Sequence, residues 1–265
     1  MAGPTTAARD ARAQAESGRS GPGGSPPGRR FRLPGRYVLI ALAAGTVLTA
    51  AGIWVLYGSH WLRVERVSTS GTDVLTVARV ERAAAVPIGS PLVSVDTGAI
   101  EERLRRRLPR IETVEAIRSW PHGISLKVTE RQPVLLIEKG GKFIEVDAGG
   151  TRFATVGKAP KGVPLLKLTG EQSAGQQRFP AGRLTREAVR VRSELPGKVA
   201  ADTRAVRVRS YDSISLELTG GRTVMWGSGE DGAAKARALT ALMKAAPGAA
   251  HFDVSAPTAP ASSRS

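Results

Sequence analysis

Apolar and polar positions alternate in three distinct registers along this chain. Residues 37–57, YVLIALAAGTVLTAAGIWVLY, carry no charge at all. At a 1.5 Å rise per residue, that run matches a hydrocarbon core of about 30 Å. Tyr37, Trp54, Tyr57 and Trp61 lie near its ends, where amphipathic rings favour the interface. Beyond the span the period changes. Val77, Val80 and Ala84 sit at helical spacing within LTVARVERAAA, with Thr76 placed to cap. Ile100, Leu104 and Leu108 repeat the spacing in GAIEERLRRRL, with Asp96 or Thr97 as cap and Pro109 as stop. Glu101 and Glu102 read as first-turn residues and Arg105 to Arg107 as last-turn residues, agreeing with the helix dipole.

The third register has period two. Ile124, Leu126 and Val128 alternate with Ser125, Lys127 and Thr129, the signature of a half-buried strand. It begins after Pro121-His122-Gly123 and ends at Glu130-Arg131-Gln132-Pro133. An earlier strand at 64–70 and another leading to Trp120 complete a β-α-α-β-β order, with both helices on one face of a three-stranded sheet. Residues 134–168 read as a meander turning at Ala148-Gly149-Gly150. A Gly/Gln-rich loop (169–183) precedes a helix ending near Pro196-Gly197. Val206 and Val208 mark a strand, and SISLELTGGRTVMW is a hairpin with Gly220-Gly221 at its tip. Asp231 is placed to cap a final helix with Leu239, Leu242 and Met243 inward. His251 to Val254 form a last short strand. The fold class is α+β, behind a single N-terminal transmembrane helix.

Charge orients the span. Arg29, Arg30, Arg32 and Arg36 crowd its N-terminal side, so the positive-inside rule keeps residues 1–36, a disordered basic tail, in the cytoplasm and the remainder outside. The long N-terminal region and long apolar run disfavour a cleaved signal peptide. The net charge of +16 accompanies an Ala-, Gly- and Arg-rich bias throughout. The sparse aromatics do not interleave with the basic residues, so no nucleic-acid partner is expected. A weak contact with anionic wall polymer or lipid headgroups is an accessory expectation.

Catalytic chemistry finds no foothold. There is no cysteine, and the three histidines, His60, His122 and His251, are far apart in sequence. Glu101/Glu102 and Glu230/Asp231 are explained by helix starts. No G-x-S-x-G exists, and GSGEDG lacks the lysine and spacing of a phosphate loop. The chain reads as a non-enzyme without cofactor or metal.

A span after a basic tail, followed by VERVSTSGT, PIGSPLVSVD, RSWPHGISLKVTERQPV and FDVSAPTAP, resembles the FtsQ/DivIB cell-division proteins, here with an actinobacterial-like composition. The resemblance covers about residues 61–257. It implies a POTRA (polypeptide-transport-associated) domain at 62–131, an FtsQ-type, mainly antiparallel β domain at 132–256 with Asp147 before its first turn, and a disordered tail at 257–265. It further implies a divisome scaffold at the septum that binds FtsB/DivIC-like and FtsL-like proteins, meets other divisome membrane proteins, and regulates septal peptidoglycan synthesis. By position after the final helix, the partner-binding edge strand falls on His251, Phe252, Asp253, Val254 and Ser255, with Pro257 limiting the ladder. A Val254→Pro change is expected to remove an outward donor. Arg103, Arg106 and Arg107 are candidate contacts on the POTRA face. The competing reading is a membrane-anchored POTRA protein for polypeptide handling; such proteins usually repeat the unit, and no internal repeat appears here.

Overall fold

The structure is a computed structural model that describes residues 35–168 and 181–264. Residues 1–34 of the tail expected at 1–36 and most of the loop expected at 169–183 therefore lie outside the described residues, and Gly35 and Arg36 belong to the helix that follows. The uncharged run lies within helix α1, Gly35–Gly58, whose most apolar 18-residue stretch has a mean hydropathy of 2.2. At 24 residues it spans about 36 Å, enough to cross a bilayer with some tilt. Its two threonines turn their hydroxyls back to the helix: Thr46 donates to Leu42 O and Thr49 to Gly45 O, at 2.9 and 2.8 Å. Both hydroxyl donors are thus satisfied without water.

The first folded domain runs β1 (Arg66–Ser70), α2 (Val77–Ala84), α3 (Thr97–Arg107), β2 (Ile111–Ser119) and β3 (Gly123–Glu130). Strand β3 is central, parallel to β1 and antiparallel to β2. Ile124, Leu126 and Val128 point from it into a core with Val80, Ala84, Ile100 and Leu104, so the period-two and helical stripes meet as expected. Asp96 caps α3 by accepting the Ala99 N–H at 3.0 Å. Two local expectations change. Glu101 and Glu102 stand one turn further into α3, where they pair with Arg105 and Arg106 four residues on. Thr76 makes no side-chain cap on α2. The Glu130 carboxylate, at the far end of β3, instead holds the turn that precedes α2, accepting the backbone N–H groups of Asp73, Val74 and Leu75.

The second domain is a nine-stranded sheet of order β12-β11-β10-β9-β8-β7-β4-β5-β6. Its strands are β4 (Leu135–Lys139), β5 (Lys142–Val146), β6 (Arg152–Val156), β7 (Leu165–Leu168), β8 (Thr203–Ser210), β9 (Ser213–Leu218), β10 (Thr223–Gly227), β11 (His251–Asp253) and β12 (Ala261–Ser263). The β4–β7, β7–β8 and β10–β11 pairs run parallel and the others antiparallel. Helices α4 (Ala181–Glu194), α5 (Gly197–Asp202) and α6 (Gly232–Ala245) complete it. Leu184, Val191 and Leu239 from the helices meet Val206, Leu216, Trp226 and Phe252 from the sheet. Asp231 precedes α6 but makes no side-chain cap; its carbonyl accepts the Ala234 and Lys235 N–H groups instead.

Two ion pairs join the domains. Arg110, between α3 and β2, pairs with Glu145 of β5, and lies over the Phe153 ring at 5.2 Å. Arg131, just past β3, pairs with Asp147. The other Asp147 oxygen accepts the Gly149 and Thr151 N–H groups at 2.9 and 2.8 Å, which fixes the β5–β6 turn. One carboxylate thus shapes a turn and ties it to the preceding domain.

Candidate functional site at the sheet terminus

Strand β11 follows α6 because Pro247 and Gly248 end the helix and return the chain to the sheet. Phe252 and Val254 then drop into the core, 2% and 0% exposed. His251, Asp253 and Ser255 point the other way, so the alternation read from the sequence holds. Each of these polar residues has a local task. His251 Nδ1 lies 2.7 Å from Thr223 Oγ1 on β10. Asp253 Oδ1 accepts both the N–H and the hydroxyl of Ser255, at 2.9 and 2.7 Å, and so directs the chain out of the strand.

The edge is arranged differently from the expectation. Residues 257–265 were to be a disordered tail, leaving β11 unpaired. Instead the chain reverses, with Ala259 N–H donating to Ala256 O, and Ala261–Ser263 pairs antiparallel with His251–Asp253. All three β12 side chains are exposed. Among the described residues, no strand pairs with the outer side of β12. The free edge therefore lies one strand further out than residues 251–255. The inner side of β11 is also committed: Val254 N–H donates to Met225 O at 2.9 Å. A proline at 254 would break the β10–β11 ladder and disturb a fully buried position, so that substitution cannot probe an outward donor.

The sheet face opposite the helices is bare near this end. Arg207, Arg209, Met225, His251 and Ser263 line a shallow concavity of about 510 Å³ running across β8 to β12. At its inner side, Glu217 accepts from Lys167 Nζ at 2.6 Å and pairs with Arg207. The Lys167 ammonium, followed by Arg207, holds the Glu217 carboxyl below the usual carboxylate range. The site is thus a short outer strand beside an open face with basic flanks. It offers backbone hydrogen bonds and alternate side chains, the chemistry of strand addition.

The arginines on α3 divide. Arg103 donates to Ala84 O at 2.5 Å and Arg107 to Ala83 O at 3.4 Å, satisfying carbonyls that the end of α2 leaves open. Arg106 stays at the surface with Glu102. The carboxylates weighed for catalysis are likewise engaged or apart: Glu101 accepts the Ala116 N–H at 2.9 Å, and Glu230 and Asp231 stand at the start of α6. Sequence reasoning missed Glu130, Arg110 and Glu145. A charged residue in a strand's buried register, as at 130 and 145, was the available signal.

Comparison with known proteins agrees with this architecture. The family model described as POTRA domain, FtsQ-type, matches residues 62–131, and that described as Cell division protein FtsQ/DivIB, C-terminal, matches 135–255. The chain is 64% identical over 270 residues to the cell division protein FtsQ of Streptomyces coelicolor, covering 100% of both chains. It is 62% identical over 269 residues to that of Streptomyces venezuelae, covering 100% of this chain and 99% of the other. With the FtsQ of Mycolicibacterium smegmatis it shares 34% identity over 254 residues, 96% of this chain and 72% of that one.

Proposed function

Because this chain belongs to the FtsQ/DivIB family of cell-division proteins, we propose that it is a single-pass scaffold of the division septum, with its N-terminus in the cytoplasm and both folded domains outside. It binds FtsB/DivIC-like and FtsL-like partners, links early to late division proteins and thereby controls septal peptidoglycan synthesis. It does so by holding proteins together rather than by a reaction of its own. The observation that carries this reading is the sheet terminus: a family β domain that ends in a short strand beside an uncovered face.

The partner strand takes the place of β12 against His251–Ser255. This exchange is favourable because β12 contributes three exposed side chains and buries none, so only its backbone hydrogen bonds must be replaced. A longer strand restores those bonds and adds side-chain contacts across the concavity. Arg106, exposed on α3, is the α3 arginine left to meet another divisome protein.

The test is calorimetry with hydrogen exchange, mixing the chain with the extracellular segments of the organism's FtsB-like and FtsL-like proteins. New protection at 250–255 with faster exchange at 261–263 supports strand replacement. Deleting residues 258–265 should then tighten binding several-fold. Binding with protection elsewhere discards these residues, and no binding discards the scaffold reading.

A further inference from the structure

We infer that Trp61, Ile88 and Trp120 form a rim by which the POTRA domain seats on the outer lipid surface. This rests on the membrane anchor alone and not on partner pairing. The three side chains are 69%, 62% and 54% exposed, large apolar groups left in water by the fold. They come from separate segments that converge on residues 63–66. Val64 exchanges backbone hydrogen bonds with Gly89 and Ser90, at 2.8 and 2.9 Å, which brings Ile88 alongside. The His122 carbonyl accepts the Glu65 and Arg66 N–H groups, at 2.9 and 3.3 Å, which brings the Trp120 hairpin alongside.

Topology puts that convergence at the membrane end. Strands β1 and β3 are parallel, so the turn entering β3 shares one end of the sheet with the start of β1. The chain reaches β1 directly from α1: Gly58 ends the helix and Arg66 begins the strand. The seven residues between them, eight Cα steps, span at most about 29 Å when fully extended. They are shorter in fact, because His60–Leu62 is a 3-10 turn capped by Ser59, and Leu62 and Val64 are buried in the domain. The rim is thus confined to the depth where indole rings are most stable, at the boundary of headgroups and acyl chains. The other exposed apolar residues of this domain, Val74 and Val77, follow the opposite end of β1 and are small.

Arg63 and Arg66 flank the rim and Glu65 partly offsets them, so apolar burial rather than charge is the main attraction. The occupant is therefore lipid, reached without any partner protein. One anchor and one apolar rim together fix the tilt of the POTRA domain on the surface, which a flexible tether alone does not.

Fluorescence of the full chain in pure lipid vesicles tests this directly. Trp226 is fully buried in the second domain and serves as an unquenched folding reference. A Trp54→Phe, Trp61→Phe variant is compared with one that also carries Trp120→Phe; the difference is the Trp120 signal. Loss of that signal in vesicles whose lipids carry bromine on the upper acyl chain, with little quenching by aqueous iodide, is the expected result. A Trp120 signal indifferent to bromolipid and quenched by iodide overturns the proposal. A third variant keeping Trp54 but not Trp61 or Trp120 must be quenched by bromolipid either way, which separates a failed contact from a failed anchor.

Discussion

The carboxylate of Glu130 accepts the backbone N–H of Leu75 at 2.9 Å, joining the end of β3 to the entry of α2 across more than fifty residues. The side chain also takes the N–H groups of Asp73 and Val74 and is only 5% exposed as a residue. A Glu130→Ala variant strands these donors, at a cost of about 2–3 kcal/mol in POTRA stability. Denaturant unfolding of the wild type and variant checks this; a cost below half a kilocalorie would show that water replaces the carboxylate.

Arg110 and Glu145 form a pair with side chains 11% and 3% exposed. Arg110→Met alone leaves a buried carboxylate without its cation, a loss of about 3–5 kcal/mol, whereas Arg110→Met with Glu145→Leu recovers most of it. A double-mutant cycle measured by thermal unfolding reads the coupling. Additive losses would mean that the pair contributes nothing as a pair.

Gly71 has φ +80°, and a Cβ there would come within 2.1 Å of Val128 O. Gly71→Ala must strain the backbone and push on β3 together, destabilising the domain by at least about 2 kcal/mol. Unfolding of this variant at unchanged midpoint would disprove the turn as described.

Glu217 titrates in the fold below its unfolded value. Its contribution is complete above the ordinary carboxylate pKa of about 4.3 and is lost as pH falls through the lower, folded value. The stability gap between wild type and Glu217→Gln should therefore be wide at neutral pH and close in acid. Urea titrations across that range decide it.

Lys235 behaves in the opposite pH range. It is 2% exposed with its Nζ on Ser228 O at 2.9 Å, and burial lowers its pKa against the opposing pull of Asp231, Glu230 and Glu194. The unfolded chain then holds the proton more tightly, so stability rises with pH between the lowered value and about 10.4. Compared with Lys235→Met, the wild type should gain ground as pH climbs through that window. A constant difference would show the ammonium to be as well solvated folded as unfolded.

These groups mark where sequence reading reached its limit. Ile100, Leu104 and Leu108, or Ile124, Leu126 and Val128, announce their elements because burial demands a fixed period, and that period is local. Glu130 continues the buried register of β3, but beside Arg131, Gln132 and Pro133 it reads as a strand end, and its partners are remote in sequence. Val254 illustrates a second limit. Its inward side chain follows from alternation, but the direction of its N–H depends on which strand lies alongside, and β10 is parallel to β11. Ala261-Ser262-Ser263 shows a third. Three small residues after two prolines carry neither period nor strand propensity, and they become a strand because β11 offers unpaired backbone. Arg103 and Arg107 resemble a solvated charge run until the end of α2 is set beside them.

The outer strand also bears on crowding. Copies anchored in one membrane meet one another in two dimensions, and an unpaired β11 on each would invite edge-to-edge polymerisation. Ala261–Ser263 closes that edge with side chains too small to form an adhesive face and an approach through Pro257 and Pro260 that keeps the new edge short. The same few residues therefore work against edge-to-edge pairing between neighbouring copies.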